Sequence, residues 1–332
     1  MNKILYIKKK PKRANWSGVL ERQFKSFQEF STNDEVGLIE VDTSSLANFF
    51  GCIRKIISNS KKFNIIYVNH IICGFACIPA IILAWNKAWI LSLHESEPVL
   101  GFFYGLKRFK SLGIKKLIRY SPIMRIPVLF FNKILVLNEK QMYRKSSKYY
   151  QSNFLGVNTE MFFPQKNNTT AITCFFPHDP LRPEKGFNAV ENFLNDNYKN
   201  RFFVGGNIPN NKMPSYYQKS DVVLFSGDYE TYSIAFLEAI ASNCYVICHQ
   251  ELGIVLNLLS KYTAGELSEY GVFIYQKSEE LKTFFTKVQE NILNYKAPKT
   301  IDLLKENKLS EKECNENLLK LLIDLNEKKD KA

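Results

Sequence analysis

Short runs of β-branched and aromatic residues recur along this chain between stretches of helical spacing, and that alternation restricts its fold more than any other feature. The first half carries such runs at Lys3–Ile7, Val36–Val41, Asn64–Val68, Ala88–Leu93 and Lys133–Leu137. The second half repeats the pattern at Ala171–Phe176, Phe202–Val204, Val222–Phe225, Tyr245–Cys248 and Val272–Tyr275. A strand that is apolar on both faces needs cover on both, and helical crossovers rather than hairpin turns make neighbouring strands parallel. The pattern predicts an α/β protein of two doubly wound, Rossmann-like domains.

The join is placed near Asn158–Asn168, where Pro164 and the polar run Gln165-Lys166-Asn167-Asn168 interrupt the alternation. Domains are therefore expected over residues 1–160 and 161–300. Residues 301–332 form a charged tail, in which Leu318, Leu319, Leu321, Leu322 and Leu325 mark one amphipathic helix over Ser310–Leu325.

Charge separates the two halves. Residues 1–165 hold 25 Lys and Arg against 10 Asp and Glu, whereas residues 166–332 hold 20 against 22. A basic first domain suits an anionic partner: nucleic acid, a phospholipid surface or a pyrophosphate-bearing substrate. No nucleic-acid recognition motif accompanies it. The stretch Gly101–Asn132 interleaves Lys107, Arg108, Lys115 and Lys116 with aromatic and aliphatic residues and contains no acid, the composition of a segment that docks on an anionic leaflet.

The apolar stretch between the first lysines is too short for a signal-peptide core. The run Ile71–Trp85, with Pro79 inside it, falls short of the roughly 20 residues that span a bilayer and reads as a buried helix. The seven cysteines are scattered and read as reduced core thiols, so a cytoplasmic protein, peripheral on the inner membrane face, is expected.

Open parallel sheets bind ligands beyond the carboxyl ends of their strands, which directs attention to Gly18, His94 and the segment Ser226–Glu230. Glu230 precedes Glu238 by two helical turns, roughly 12 Å along an axis at 1.5 Å per residue, too far to share a proton. The two carboxylates suit opposite ends of an elongated ligand. Amides at Thr231, Tyr232 and Ser233, at the start of a helix expected over Tyr232–Ser242, face its anionic middle.

The segment Glu230-Thr-Tyr-Ser-Ile-Ala-Phe-Leu-Glu238 resembles the E-x7-E signature of the GT-B, family 4-like glycosyltransferases (group 1). Trp16-Ser17-Gly18-Val19, Leu93-His94-Glu95, Leu155-Gly-Val-Asn-Thr-Glu-Met-Phe-Phe-Pro164 and Arg182-Pro-Glu-Lys185-Gly186 are similar to further segments of that family, in the same order. The resemblance implies a GT-B-like pair of domains with a cleft between them and a terminal helix crossing back to the first. It also implies a retaining, metal-independent transferase that moves a sugar from a UDP- or GDP-linked donor to a glycan or lipid-linked acceptor, with no other cofactor. In bacteria such chemistry serves surface polysaccharide and lipopolysaccharide synthesis.

Carried over position by position, Glu230, His94 and Lys185 form the implied catalytic set. Glu230 contacts the donor sugar and Glu238 the ribose, while Lys185, Arg182, Gly18 and the amides of Tyr232, Ser233 and Ile234 hold the diphosphate. The family's usual arginine, five residues before the lysine, is here Pro180, and its glycine before the helix is Ser233. The proline leaves open a second reading, a GT-B-like partner or scaffold with impaired chemistry. Asn243, in the turn that ends the helix, tolerates the left-handed conformation required there.

Overall fold

The computed structural model describes residues 2–10, 19–31, 35–94, 122–142, 146–164, 172–182, 185–198, 201–206, 208–227, 230 and 232–327. The chain divides into two compact units, Met1–Phe154 together with Asn315–Ala332, and Leu155–Cys314.

The first unit is built on β1 (Lys3–Lys9), β2 (Glu35–Val41), β3 (Ile65–Asn69), β4 (Ala88–Leu93), β5 (Lys133–Val136) and β6 (Tyr149–Gln151). They form one sheet in the order β2-β1-β3-β4-β5-β6, with every neighbouring pair parallel. β3 and β4 are buried along their whole length, as their mostly apolar sequences require, with Asn69 and Ser92 the polar exceptions. Around the sheet run α1 (Val19–Phe30), α2 (Leu46–Ser60), α3 (Ile71–Leu83) and α4 (Ile126–Phe130). The Ser45 hydroxyl starts α2 by accepting from the Asn48 amide at 3.1 Å. The most apolar run is α3, a 13-residue helix that buries Ile71, Cys73, Ala76, Cys77 and Ala80. Among the described residues no helix is long and apolar enough to cross a membrane.

A buried polar network crosses this unit. Tyr6 and Asn69, on adjacent strands, meet the Gln23 side-chain oxygen at 2.7 and 2.9 Å. The Gln23 amide then donates to the Phe154 carbonyl at 2.8 Å and to the Asn315 side chain at 3.3 Å.

The second unit is built on β7 (Cys174–Phe176), β8 (Phe202–Val204), β9 (Val222–Phe225), β10 (Tyr245–His249) and β11 (Val272–Tyr275), a parallel sheet in the order β11-β10-β9-β7-β8. Its helices are α5 (Glu191–Tyr198), α6 (Met213–Gln218), α7 (Ile234–Ala241), α8 (Gly253–Leu259), α9 (Ala264–Tyr270), α10 (Glu280–Leu293) and α11 (Thr300–Glu306). The last helix, α12 (Glu311–Glu327), starts in this unit and continues into the first from Asn315, burying Leu318, Leu319, Leu322 and Leu325.

Most strand ends fall within two residues of the sequence pattern, and two larger departures stand out. β6 has no counterpart there, because its three residues, Tyr-Tyr-Gln, carry too short an apolar signal. β7 is described from Cys174, the expected start at Ala171 lying outside the described residues, and the Thr173 amide bonds to the Asp221 carboxylate at 2.8 Å instead of joining the ladder. All seven cysteines are free thiols and all are buried.

Candidate functional site

In the second sheet β7 lies between β8 and β9, so the chain leaves β7 on one side and resumes on the other. The loops beyond β7 and β9 diverge at such a switch point and leave a crevice at the carboxyl edge. The β7 loop carries His178 and Lys185; the β9 loop carries Ser226 and Glu230. A close backbone contact locks the loops together. The Ser226 hydroxyl donates to the Gly186 carbonyl at 2.8 Å, and Gly186 sits at φ +70°, where a Cβ would come within 2.3 Å of the Ser226 carbonyl oxygen. Glycine is needed there because it alone meets both conditions, and the adjacent lysine is thereby fixed in direction.

Lys185 and Glu230 form a buried ion pair. Nζ lies 2.6 Å from Oε1, with the side chains 8% and 15% exposed. The other carboxylate oxygen faces His178, whose Nε2 lies 3.3 Å from Oε2. That nitrogen is buried and makes no well-aligned hydrogen bond among the described residues, so its contact with Glu230 is electrostatic. The imidazole packs edge-on against Phe176 and Phe225, each ring centroid 5.7 Å away. Burial by itself would raise the Glu230 carboxyl, but Lys185 and His178 together hold it well below the ordinary carboxylate range. Burial lowers the His178 imidazole, aided by the Lys185 charge and opposed by Glu230. The result is a charge-balanced, largely desolvated cluster at the sheet's binding edge.

Glu238 stands in the second turn of α7 with a different partner. Tyr217, fully buried on α6, donates its hydroxyl to Oε2 at 2.9 Å. Sequence reasoning missed Tyr217, since nothing in its local pattern distinguishes it from a packing aromatic. The two glutamates thus have separate partners and form no shared carboxylate pair.

α7 begins at Ile234, two residues later than the sequence spacing suggests. The reason is Ser233, which adopts φ +71° as the N-cap and accepts from the Phe236 amide at 3.4 Å. Ile234 is therefore the first helical residue, and Tyr232 precedes the cap. The Tyr232 ring is 3% exposed, and its hydroxyl has no hydrogen-bond partner among the described residues. Asn243, just past the helix, has φ +55°, the left-handed conformation expected of it.

Arg182 is exposed, in a turn where its amide donates to the Asp179 carbonyl at 3.1 Å and its carbonyl accepts from the Lys185 amide at 2.9 Å. Pro180 occupies the same turn. His94 belongs to the first unit, at the end of β4, with Nε2 3.1 Å from the Ser92 hydroxyl and its ring edge-on to Phe154 at 5.1 Å. Gly18, Lys107, Arg108, Lys115 and Lys116 lie outside the described residues. Among the described residues no group of three or more His, Cys, Asp or Glu side chains is arranged to hold a metal.

Residues 186–283, which include Ser226, Glu230, Glu238 and all of α7, match a single family model. That family is the glycosyl transferases group 1. No curated protein matches the sequence. Solved structures of similar fold include Anabaena HepE in complex with UDP, at 11% identity and TM-score 0.66, covering 97% of this chain and 100% of that one. Sucrose-phosphate synthase from Thermosynechococcus elongatus is similar at 11% identity and TM-score 0.65, over 98% and 99% of the two chains. The lipopolysaccharide outer core galactosyltransferase WaaB is similar at 10% identity and TM-score 0.58, over 96% and 99%. At these identities the likeness establishes the architecture, two parallel Rossmann-like sheets of the GT-B type. The group 1 segment covers most of the second sheet and its helices, and Lys185 and His178 stand just before it.

Proposed function

We propose that this chain is a glycosyltransferase that takes its sugar from a nucleoside diphosphate donor held in the second unit. The observation that carries this reading is the buried Lys185–Glu230 pair at the switch point, eight residues before a second carboxylate, Glu238, on the helix that follows. A diphosphate leaving group needs fixed positive charge, and a sugar hydroxyl needs a fixed acceptor, in a site that has shed water. Lys185 supplies the first and Glu230 the second, while Glu238, oriented by Tyr217, suits the ribose hydroxyls. Arg182, Gly18 and the amides at Tyr232, Ser233 and Ile234 complete the diphosphate contacts in this reading, with His94 serving the acceptor side.

The finer reading is a retaining transfer that needs no metal, to a glycan or lipid-linked acceptor, at the inner face of a bacterial membrane in surface polysaccharide synthesis. Support for the membrane face comes from the first unit, where Ile123 and Leu129, which follow the basic stretch in the sequence, are 61% and 69% exposed and Trp85 is 77% exposed. Thermal unfolding with UDP- and GDP-linked sugars tests donor binding: a ligand at a hundred times its dissociation constant raises stability by about 2.7 kcal/mol. The anomeric configuration of the product, read by NMR, tests retention, and turnover in EDTA tests metal independence. A second reading, a GT-B-shaped partner without turnover, is favoured by Pro180 at the arginine position. Donor binding with no transfer or donor hydrolysis would select it.

A further inference from the structure

Resting on the donor reading above, we propose that His178 is a positioning residue that couples donor binding to the uptake of one proton, by taking over the charge balance of Glu230 when Lys185 turns to the diphosphate.

The argument starts from a count of charges in a small buried volume. Glu230 presents two oxygens, one held by Lys185 at 2.6 Å and the other faced by His178 at 3.3 Å. A sugar-linked diphosphate brings two further negative charges to the loop that carries Lys185. One ammonium group cannot balance both the diphosphate and a buried carboxylate, and a buried carboxylate stripped of its partner is strongly unfavourable. Glu230 therefore needs another cation as Lys185 is drawn away.

His178 is the group placed to supply it. Its Nε2 is buried, lacks an aligned hydrogen bond among the described residues, and already lies within ion-pair distance of Oε2. Phe176 and Phe225 hold the ring by its edges, so it needs no large movement. Three charged groups act on the imidazole: Glu230 favours its protonation, while Lys185 and Arg182 oppose it. Drawing Lys185 and Arg182 onto the diphosphate neutralises the opposition and leaves Glu230. The proton comes from solvent and settles on Nε2, which becomes a donor to Oε2, and it returns to solvent when the nucleotide leaves. Glu230 stays ionised and correctly aimed at the sugar throughout.

The test is calorimetric titration of the full chain at pH 7 with UDP-glucose and GDP-mannose, whose diester diphosphates have no proton of their own to exchange near neutrality. Buffers of widely different ionisation enthalpy reveal the proton. In the wild type the observed heat should vary linearly with buffer enthalpy, with a slope of up to one proton taken up. Affinity should rise by up to tenfold per unit fall in pH over the range in which the imidazole is neutral in the free protein and protonated in the complex. His178→Asn should bind with a slope near zero. Glu230→Gln, which keeps the side-chain size and removes the charge to be balanced, should lose the slope as well. Binding whose heat does not depend on buffer in the wild type, or a slope that survives in His178→Asn, overturns the coupling and leaves the donor reading intact. Binding of neither sugar nucleotide overturns the donor reading and the coupling with it.

Discussion

Tyr217 donates to Glu238 across the contact between α6 and α7, so one oxygen of the carboxylate is fixed by a phenol that is itself completely buried. Removing the hydroxyl while keeping the ring isolates that interaction. Tyr217→Phe is expected to raise the donor KM with little change in kcat, by about 1.5–3 kcal/mol for a hydrogen bond to a charged group. Glu238→Ala should weaken nucleotide binding similarly. Wild-type nucleotide affinity in both variants would sever Glu238 from the ribose.

Loss of either Lys185 or Glu230 should reduce turnover by about 10²–10³, the usual effect of deleting one preorganised electrostatic contact. The structure adds a stability cost. Glu230→Gln leaves the Lys185 ammonium without its carboxylate, at about 3–5 kcal/mol, and Lys185→Ala leaves the buried carboxylate facing His178 alone, whereas Lys185→Met combined with Glu230→Gln removes both charges of the pair. The double variant should unfold at a higher urea concentration than Lys185→Ala. Additive losses would mean that the pair is not coupled.

The depressed Glu230 carboxyl has a pH signature. A carboxylate held below its ordinary value, 4.5 for a free glutamate, contributes stability that is fully present above that value. The contribution disappears as pH falls toward the lower folded-state value. The stability advantage of the wild type over Glu230→Gln, measured by denaturant midpoint, should therefore be constant from pH 7 to about 5.5 and shrink below pH 4.5. A gap that widens with acid would reverse the assignment.

Ser233 pays for its cap with a left-handed backbone at φ +71°. Ser233→Gly gives up a few tenths of a kcal/mol of capping and relieves about 1–2 kcal/mol of steric strain, so it should raise the melting temperature. Ser233→Val, which loses the cap and keeps the strain, should lower it. The opposite order in a thermal melt would show that the hydroxyl matters more than the backbone.

Membrane docking is tested with anionic liposomes. Each cation near such a surface contributes about 1 kcal/mol, so the chain should co-sediment at low ionic strength and dissociate in salt. Changing Lys107, Arg108, Lys115 and Lys116 together to Ser should weaken the association. Equal binding by that variant would make the stretch an ordinary solvated face.

The parallel sheets are legible in the sequence because their strands are buried on both sides. Val222–Phe225 and Val272–Tyr275 are continuous apolar runs with polar or turn residues at their ends, and the structure starts and stops them at those residues. Glu230 and Glu238 stand out for a similar reason: charge next to an apolar helix is conspicuous. What the spacing does not convey is who faces them. His178 reaches Glu230 only because β7 and β9 are neighbours in space, 45 residues of chain separating Lys185 from its carboxylate. Tyr217 reaches Glu238 only through the packing of two short helices. Ser233 shifts the start of α7 because its hydroxyl caps from a backbone conformation that the serine's identity does not announce.

The straddling of α12 has a consequence for how the protein comes into being. Asn315 and the leucines that follow it are the last part of the first unit to leave the ribosome, after the whole second unit has been made. Until they arrive, Gln23 lacks one of its buried partners and the apolar surface that Leu318, Leu322 and Leu325 would cover stays open to water. The first unit is therefore completed only after the whole second unit has been synthesised, and a chain that stalls at residue 314 would present that uncovered surface to the cell's quality-control machinery although every strand of both sheets had already been made.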